Sequence, residues 1–339
     1  MMKPVEYQNI LIIKPGAIGD LLQLTPAIRA LHGKYPQARI SVLVSSAATA
    51  ALFQHNPHVH ETIVFDKRGA HRSPLALAKL WLQLYRARYD LVVNYQRSNL
   101  KAWFLILSAL PCRVLVYHKA RGRTVHAVLN HIETLAPLGI DPAKVDQHLE
   151  FEPGEDAVRF AADLFASSGL AGRPVVALNP GASNRIKCWS PRRFARLGDR
   201  LAVELGAGVV IVGGADERDL AEAIVSRMKS PVLDLVGKTT LLQLGAVLQR
   251  CTTIVTGDTG PLHMATSVGT PVVALFGAIN PERTGPVGEG HRVIRHPEVA
   301  CVPCVADRCV NPVTMECMKK ITVEEVFNVV EEMVKGRRG

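Results

Sequence analysis

Three observations predict an α/β fold of two doubly wound, parallel-sheet domains. Strand and helix patterns alternate along the chain. The strands are short unbroken apolar runs, as a parallel sheet covered on both faces requires. The chain has 339 residues, too many for one ordinary core and about right for two. Alternation of this kind implies right-handed crossovers between parallel strands.

In the first half, strands are expected at Asn9–Lys14, Arg39–Val44, Thr62–Phe65, Leu91–Asn94 and Arg113–Tyr117. Helical patterns run from Leu21 to Tyr35, Pro74 to Ala87 and Leu100 to Leu110. The second half repeats the plan. Its strands are Pro174–Leu178, Val209–Val212, Val232–Asp234, Thr253–Val255 and Val272–Phe276. Between them lie the helices Pro191–Leu205, Glu217–Met228, Leu241–Arg250 and Leu262–Val268. This divides the chain into a domain at 1–165, a second at 172–320 and a last helix in 321–339 expected to pack back on the first.

Composition narrows the function. Apolar residues make up 48%, ordinary for a soluble protein, and aromatics only 5%, which argues against a stacking platform for single-stranded nucleic acid. The N-terminus, MMKPVEYQNILIIK, lacks the pattern of a signal peptide. The longest apolar stretch, Ala102 to Leu110, is far short of the roughly 20 residues of a membrane helix. A cytoplasmic location is expected. Residues 1–150 hold 18 Lys and Arg against 9 Asp and Glu, so nearly all of the +10 net charge lies there. A basic half suits an anionic partner such as nucleic acid, an acidic membrane surface or a phosphorylated substrate. No nucleic-acid recognition motif accompanies it.

Three glycine turns follow strands, at the edge where open α/β sheets bind ligands. The first is Lys14-Pro15-Gly16-Ala17-Ile18-Gly19-Asp20. It is neither a Walker A loop nor a dinucleotide fingerprint. Gly16 and Gly19 permit close approach of a ligand, and Asp20 is a candidate general base at a helix start. The second is Asn179-Pro180-Gly181-Ala182-Ser183-Asn184-Arg185-Ile186-Lys187. Ser183, Arg185 and Lys187 suit a diphosphate, and Lys187 can neutralise charge on a leaving phosphate. The third is Thr256-Gly257-Asp258-Thr259-Gly260-Pro261-Leu262-His263. Proline fits the first helical position, and the helix start with its dipole is an anion site. Asp258 and His263 flank it.

A weaker feature is Gly213-Gly214-Ala215-Asp216-Glu217, an acidic turn of the kind that bonds ribose hydroxyls or simply opens a helix. No D-x-D sequence occurs, and Lys187 with a helix N-terminus favours charge stabilisation without metal. No cofactor is expected. Four cysteines form Cys301-x2-Cys304-x4-Cys309-x7-Cys317, a set open to zinc, disulfides or free thiols.

With these motifs in place, the chain resembles glycosyltransferase family 9, the ADP-heptose:lipopolysaccharide heptosyltransferases, and within it the heptosyltransferase II type. The carriers are ILIIKPGAIGDLLQLTPAI, NPGASNRIKCWSPRRFARL and TGDTGPLHMATSVGTPVVALFGAINPERTGPVG, with CMKKIT near the end. The resemblance implies a GT-B fold, two Rossmann-like domains facing across a cleft. It implies inverting, metal-independent transfer of heptose from ADP-L-glycero-D-manno-heptose to the lipid A-linked core oligosaccharide. Transient contact with the inner-membrane surface follows, with no nucleic acid.

Carried over by residue, the resemblance makes Asp20 the base and Lys187 the group that stabilises departing ADP. The backbone of Thr259 and Gly260 would help, Asp258 would hold the sugar or orient the site, and His263 would support it. Glu217 would take the ribose, Ser183 a phosphate, and Thr240 and Leu241 the adenine. Alternatives are a relative using another nucleotide sugar for a different surface glycan, or a non-catalytic nucleotide-binding protein.

Overall fold

The computed structural model describes residues 6–67, 69–96, 100–118, 122–182, 184–304 and 308–336, without the side chains of Leu100, Lys101 and Arg185. It divides into two compact units, Met1–Glu152 and Pro153–Gly339. Each contains one wholly parallel sheet.

The first unit has five strands: β1 (Asn9–Ile13), β2 (Arg39–Val44), β3 (Glu61–Val64), β4 (Leu91–Asn94) and β5 (Arg113–Val116). Their order is β3-β2-β1-β4-β5. Strands β1 and β4 are central and almost wholly buried, which is why they read as unbroken apolar runs. One helix expected over Leu21–Tyr35 is two, Ile18–Leu22 and Thr25–Lys34. Pro26 lies in the first turn of the second, where its missing N–H costs nothing, but it cannot continue a helix from before. The helices Pro74–Arg86 and Leu100–Ala109 pack on each other and share one core, through Leu80 and Leu84 of the first and Leu105 and Ile106 of the second.

The second unit has six strands: β6 (Val175–Asn179), β7 (Gly208–Ile211), β8 (Leu233–Asp234), β9 (Thr253–Thr256), β10 (Val272–Leu275) and β11 (Arg292–Ile294). Their order is β11-β10-β9-β6-β7-β8. Strand β11 escaped the sequence reading because it is three residues long and mostly exposed, so it carries no apolar run.

Two boundaries differ from expectation. The helix Glu155–Ser167, most of which falls within the first domain expected at 1–165, belongs to the second unit. Its buried face, Ala157, Ala161 and Phe165, is matched by packing on the helix Leu241–Gln249, and the Arg250 guanidinium sits 5.4 Å from the Phe165 ring centre. The last helix, Val323–Gly336, does not spend its apolar face on the first domain. Val326, Phe327 and Val330 are buried in the second unit's core with Leu197, Leu201 and Val255. The indole N–H of Trp189 donates to the Ile321 carbonyl at 2.9 Å and fastens the chain just before that helix.

Candidate active site

Strand order in the second sheet reverses between β6 and β9. From β6 the chain steps outward through β7 and β8, then returns to the other side with β9. Loops leaving the carboxyl ends of β6 and β9 therefore part in opposite directions, the arrangement that opens a ligand crevice in such sheets.

Asn179, the last residue of β6, ties that edge together and is 1% exposed. Its amide Nδ2 donates to the Val212 carbonyl at 3.0 Å and to Glu217 Oε2 at 3.4 Å. Its Oδ1 accepts from the hydroxyls of Thr256 at 2.9 Å and Thr259 at 3.0 Å. One side chain thus joins the loops that follow β6, β7 and β9. Thr259 precedes the helix Gly260–Ser267 at its cap position, yet its hydroxyl is turned to Asn179 and makes no capping bond to the helix. The first turn of a helix has N–H groups without intrahelical partners, and the dipole adds positive potential there. With Pro261 also in that turn, the end is suited to an anion.

Lys187 closes the short 3-10 turn Arg185–Lys187 in the loop after β6. Asn184 builds that turn: its side-chain oxygen accepts from the Ile186 N–H at 3.1 Å and its carbonyl from the Lys187 N–H at 3.0 Å. The Lys187 ammonium meets Asp258 Oδ2 at 2.9 Å, with side chains only 19% and 13% exposed. A Cβ at Gly257 would stand 3.3 Å from the Lys187 carbonyl, so glycine lets the two loops run against each other. Asp258 therefore positions the lysine.

Glu217 is drawn inward. Its Oε2 also accepts from the Gly214 N–H at 3.0 Å. Burial raises its carboxyl pKa, against the pull of the Gly214 and Asn179 hydrogen bonds. Gly181 and Gly213 form its cradle, since a Cβ at either would fall on its carboxylate oxygens. A cavity of about 960 Å³ opens beside Glu217, bordered by Trp189, Arg193, Asp216, Met315 and Lys319.

Thr240 has a structural role of its own: its hydroxyl accepts from the Gln243 N–H at 3.2 Å and caps the helix Leu241–Gln249. Neither Thr240 nor Leu241 lines the cavity. The loop after β8 does reach the same edge, through the Gly237 N–H to the Gly213 carbonyl at 3.0 Å. His263 is buried, 4% exposed, within the helix Gly260–Ser267. Ser183 and the Arg185 side chain lie outside the described residues.

The first sheet reverses between β1 and β4. Lys14 follows β1, and its Nζ lies 3.6 Å from Asp20 Oδ1 and 3.5 Å from His131 Nε2. Asp20 is in the helix Ile18–Leu22, with Gly19 beside it, and its other oxygen accepts weakly from the Ala17 N–H at 3.4 Å. A Cβ at Gly16 would come within 3.0 Å of Asp20 Cβ, so the glycine makes room for the acid. The Asp20 side chain remains 51% exposed and accessible to a hydroxyl.

His131 is buried and neutral. Nδ1 lies 3.2 Å from the Gln23 carbonyl, an acceptor, so the ring proton is assigned to Nδ1 and Nε2 accepts from Lys14. Burial, and then the adjacent Lys14 charge, hold its pKa down at about 3. At the end of β4 the Asn94 amide Nδ2 is buried with no hydrogen-bond partner among the described residues, a cost of the kind ligand-binding edges carry.

The sequence reading missed Lys14, His131, Asn179 and Thr256. Lys14, Asn179 and Thr256 stand inside the quoted motifs without a role of their own. His131 lies in a helix without a motif, and only the fold brings it to Lys14. None of the four clustered cysteines is joined in a disulfide, and Cys309 Sγ accepts from the Met315 N–H at 3.1 Å. Burial pushes the Cys317 thiol pKa up.

Comparison with known proteins agrees with this architecture. The family model described as glycosyltransferase family 9 (heptosyltransferase) matches residues 77–314, a span reaching into both units. The chain belongs to that family and is a glycosyltransferase. It is 29% identical over 284 residues to lipopolysaccharide heptosyltransferase 3 of Escherichia coli K12, covering 77% of this chain and 80% of that one. Among solved structures it is similar to a family 9 glycosyltransferase of Veillonella parvula, with TM-score 0.85, 24% identity and coverage of 98% and 99%. It is also similar to E. coli ADP-heptose lps heptosyltransferase II, with TM-score 0.81, 24% identity and coverage of 98% and 100%. The two Rossmann-like units are thus those of a GT-B fold.

Two outcomes are expected. Gly181→Ala expels the Glu217 carboxylate from its cradle and lowers unfolding free energy by about 1–3 kcal/mol. In a Glu217→Ala background the same change costs much less, measured by urea unfolding of the four proteins. Equal costs in both backgrounds would mean that Gly181 serves something else. Second, His131 is neutral when folded with a pKa near 3 and about 6.5 when unfolded. Its contribution is complete above pH 6.5 and declines as pH falls toward 3. His131→Gln flattens the fall of stability in that window by at most about 1.4 kcal/mol per pH unit. Parallel stability curves for the two proteins would contradict this.

Proposed function

We propose that this glycosyltransferase moves a heptose from ADP-L-glycero-D-manno-heptose to the inner core of lipopolysaccharide, with inversion and without a metal ion. The observation that carries the reading is the Lys187–Asp258 pair at the β6/β9 reversal, beside a helix start whose cap residue, Thr259, makes no capping bond. A lysine and a helix N-terminus on one crevice supply two fixed sources of positive potential, as a departing diphosphate demands. The names of the similar proteins support both the ADP-heptose donor and the lipopolysaccharide acceptor.

In this reading Asp20 takes the proton of the acceptor hydroxyl. The oxygen attacks the anomeric carbon on the face opposite the diphosphate, the bond from that carbon to the phosphate oxygen breaks, and the configuration inverts. Lys187 and the N–H groups of Thr259 and Gly260 stabilise the ADP that leaves. Asp258 keeps the lysine in place and His263 supports the helix from within. Ser183 and Arg185 add contacts to the diphosphate, and Glu217 and the loop at Thr240 and Leu241 receive the nucleoside. The acceptor sugar lies on the first unit near Asp20, Gly16 and Gly19. The enzyme works in the cytoplasm at the inner face of the inner membrane. The domain roles follow: acceptor on the first unit, donor on the second.

The test is transfer to heptose-deficient lipopolysaccharide from ADP-heptose, beside UDP- and GDP-sugars, in the presence of EDTA. Turnover with ADP-heptose alone is expected. Turnover with another donor only, or loss of turnover in EDTA, refutes the donor or the metal-independent mechanism. Asp20→Ala lowers kcat by roughly a hundredfold to ten-thousandfold, the usual worth of a general base, while ADP affinity measured by calorimetry stays within about twofold. Loss of both together would make Asp20 structural. Lys187→Ala weakens ADP binding by about tenfold to a hundredfold, the scale of a hydrogen bond to a charged group. Unchanged affinity and rate in that variant would remove Lys187 from the site.

A further inference from the structure

Asn94, the last residue of β4, is 1% exposed. Its Oδ1 accepts from the Gln96 N–H at 3.0 Å, which fixes the amide and leaves Nδ2 as its other end. Among the described residues neither Asn94 Nδ2 nor Gln96 Oε1 has a hydrogen-bond partner, and both atoms are buried. Such groups are costly and few in a folded domain, and an apolar side chain of the same shape would avoid the cost. Asn179 ends a strand at the reversal of the second sheet, and there both ends of the amide are spent on the protein. Asn94 spends its oxygen alone. It stands at the reversal of the first sheet, on the carboxyl edge where such sheets meet their ligands.

The chemistry of the two atoms identifies the group that meets them. Nδ2 is a donor and Oε1 an acceptor. One hydroxyl can accept from the first and donate to the second. A phosphate or a carboxylate offers acceptors only and would set its oxygens against Gln96 Oε1. An apolar group would satisfy neither atom.

Position identifies where that hydroxyl is carried. Asn94 lies opposite Ile13 in the ladder, one residue before Lys14, whose ammonium is 3.6 Å from Asp20. Neighbouring strands are about 4.8 Å apart, so one sugar can reach from the end of β1 to the end of β4. After β1 the chain runs to the helix Thr25–Lys34, which packs on Ala127–Glu133. After β4 it runs to Leu100–Ala109, which packs on Pro74–Arg86. The two loops part, and Asp20 and the Asn94–Gln96 pair belong to opposite lips of the crevice they leave within the first unit.

We propose that Asn94 and Gln96 together bind one hydroxyl of the acceptor sugar, other than the hydroxyl that Asp20 deprotonates, and so determine which acceptor is taken. The proposal rests on the reading above, in which the acceptor meets the first unit beside Asp20. Gln96 is half-buried, and its flexible side chain brings Oε1 to the hydroxyl. Neither residue touches a reacting atom.

The probe is the delipidated oligosaccharide of heptose-deficient lipopolysaccharide, with analogues in which each hydroxyl of its terminal sugar is in turn replaced by hydrogen. Binding to the whole protein in the presence of ADP is measured by calorimetry, and transfer from ADP-heptose is measured separately. One analogue, besides the one lacking the attacking hydroxyl, binds the parent protein about tenfold more weakly, the scale of a hydrogen bond lost in a buried site. Gln96→Leu weakens binding of the complete acceptor by about the same factor and no longer distinguishes it from that analogue. Asn94→Leu behaves alike. ADP affinity does not change. Gln96→Leu also removes an unpaired buried oxygen, so its resistance to urea is no lower than that of the parent.

Equal binding of the complete acceptor by the parent and by Gln96→Leu overturns the proposal. So does a Gln96→Leu protein that still distinguishes the analogue, because water would then be the partner of the two atoms. Loss of urea resistance with acceptor binding intact makes the pair structural and overturns it as well, as does a parent protein that binds no acceptor. Transfer that these variants leave unaltered keeps the assigned reaction and removes the pair from it. Acceptor binding that depends on Gln96, without transfer from ADP-heptose, supports the pair and refutes the assigned donor.

Discussion

A parallel sheet brings the carboxyl ends of all its strands to one edge, and in the second unit the Asn179 side chain makes that edge a single structure. A buried amide must satisfy both its donors and its acceptor. Here the donors reach Val212 and Glu217 and the acceptor receives Thr256 and Thr259. The consequences spread outward. Thr259 is turned away from capping duty, the helix Gly260–Ser267 keeps its positive end open, and Glu217 is drawn against Gly181 and Gly213. A network of this sort is rigid because leaving any one member unpaired costs about 1–3 kcal/mol. Rigidity of donors around a developing charge is what electrostatic catalysis requires.

The first unit uses the same sheet logic with different chemistry. Lys14 stands between a neutral imidazole and an exposed carboxylate. Burial keeps His131 from gaining a proton, so it accepts from the ammonium without competing with it in charge. Lys14 is then free to hold Asp20 by ion pairing at the surface end. A carboxylate fixed in this way loses little orientational freedom when it meets a hydroxyl, which is the entropic share of general-base efficiency.

Much of the architecture was legible because parallel strands are buried on both faces and announce themselves as apolar runs. The glycine turns were legible for a related reason: at Gly181 a Cβ would overlap the Glu217 carboxylate, and at Gly16 and Gly257 it would be tightly packed. What escaped was whatever depends on long-range partners. Strand β11 has too few buried residues to leave a pattern. The placement of Val323–Gly336 was missed because an amphipathic stripe states that a helix packs, without stating on what. The roles of Asn179 and His131 depend on atoms 33 to 117 residues away in sequence. Thr240 illustrates the converse, since its capping hydrogen bonds account for the residue locally.

The Lys187–Asp258 pair shows how the proposed chemistry and the fold constrain each other. A mostly buried ammonium without a partner would be costly, so the free enzyme must neutralise it. A tight, permanent ion pair would in turn hide the charge from a diphosphate. The arrangement resolves this because the carboxylate belongs to the loop that leads into the helix Gly260–Ser267. A diphosphate at that helix start meets backbone N–H groups first and lies next to the ammonium second. In the proposed reading Asp258 stays bonded to Lys187 and holds its direction. The lysine on its own would be flexible and the helix end on its own carries only about half a charge. In the proposed reading the two together place positive potential on one point, and Asp258 orients the lysine toward it.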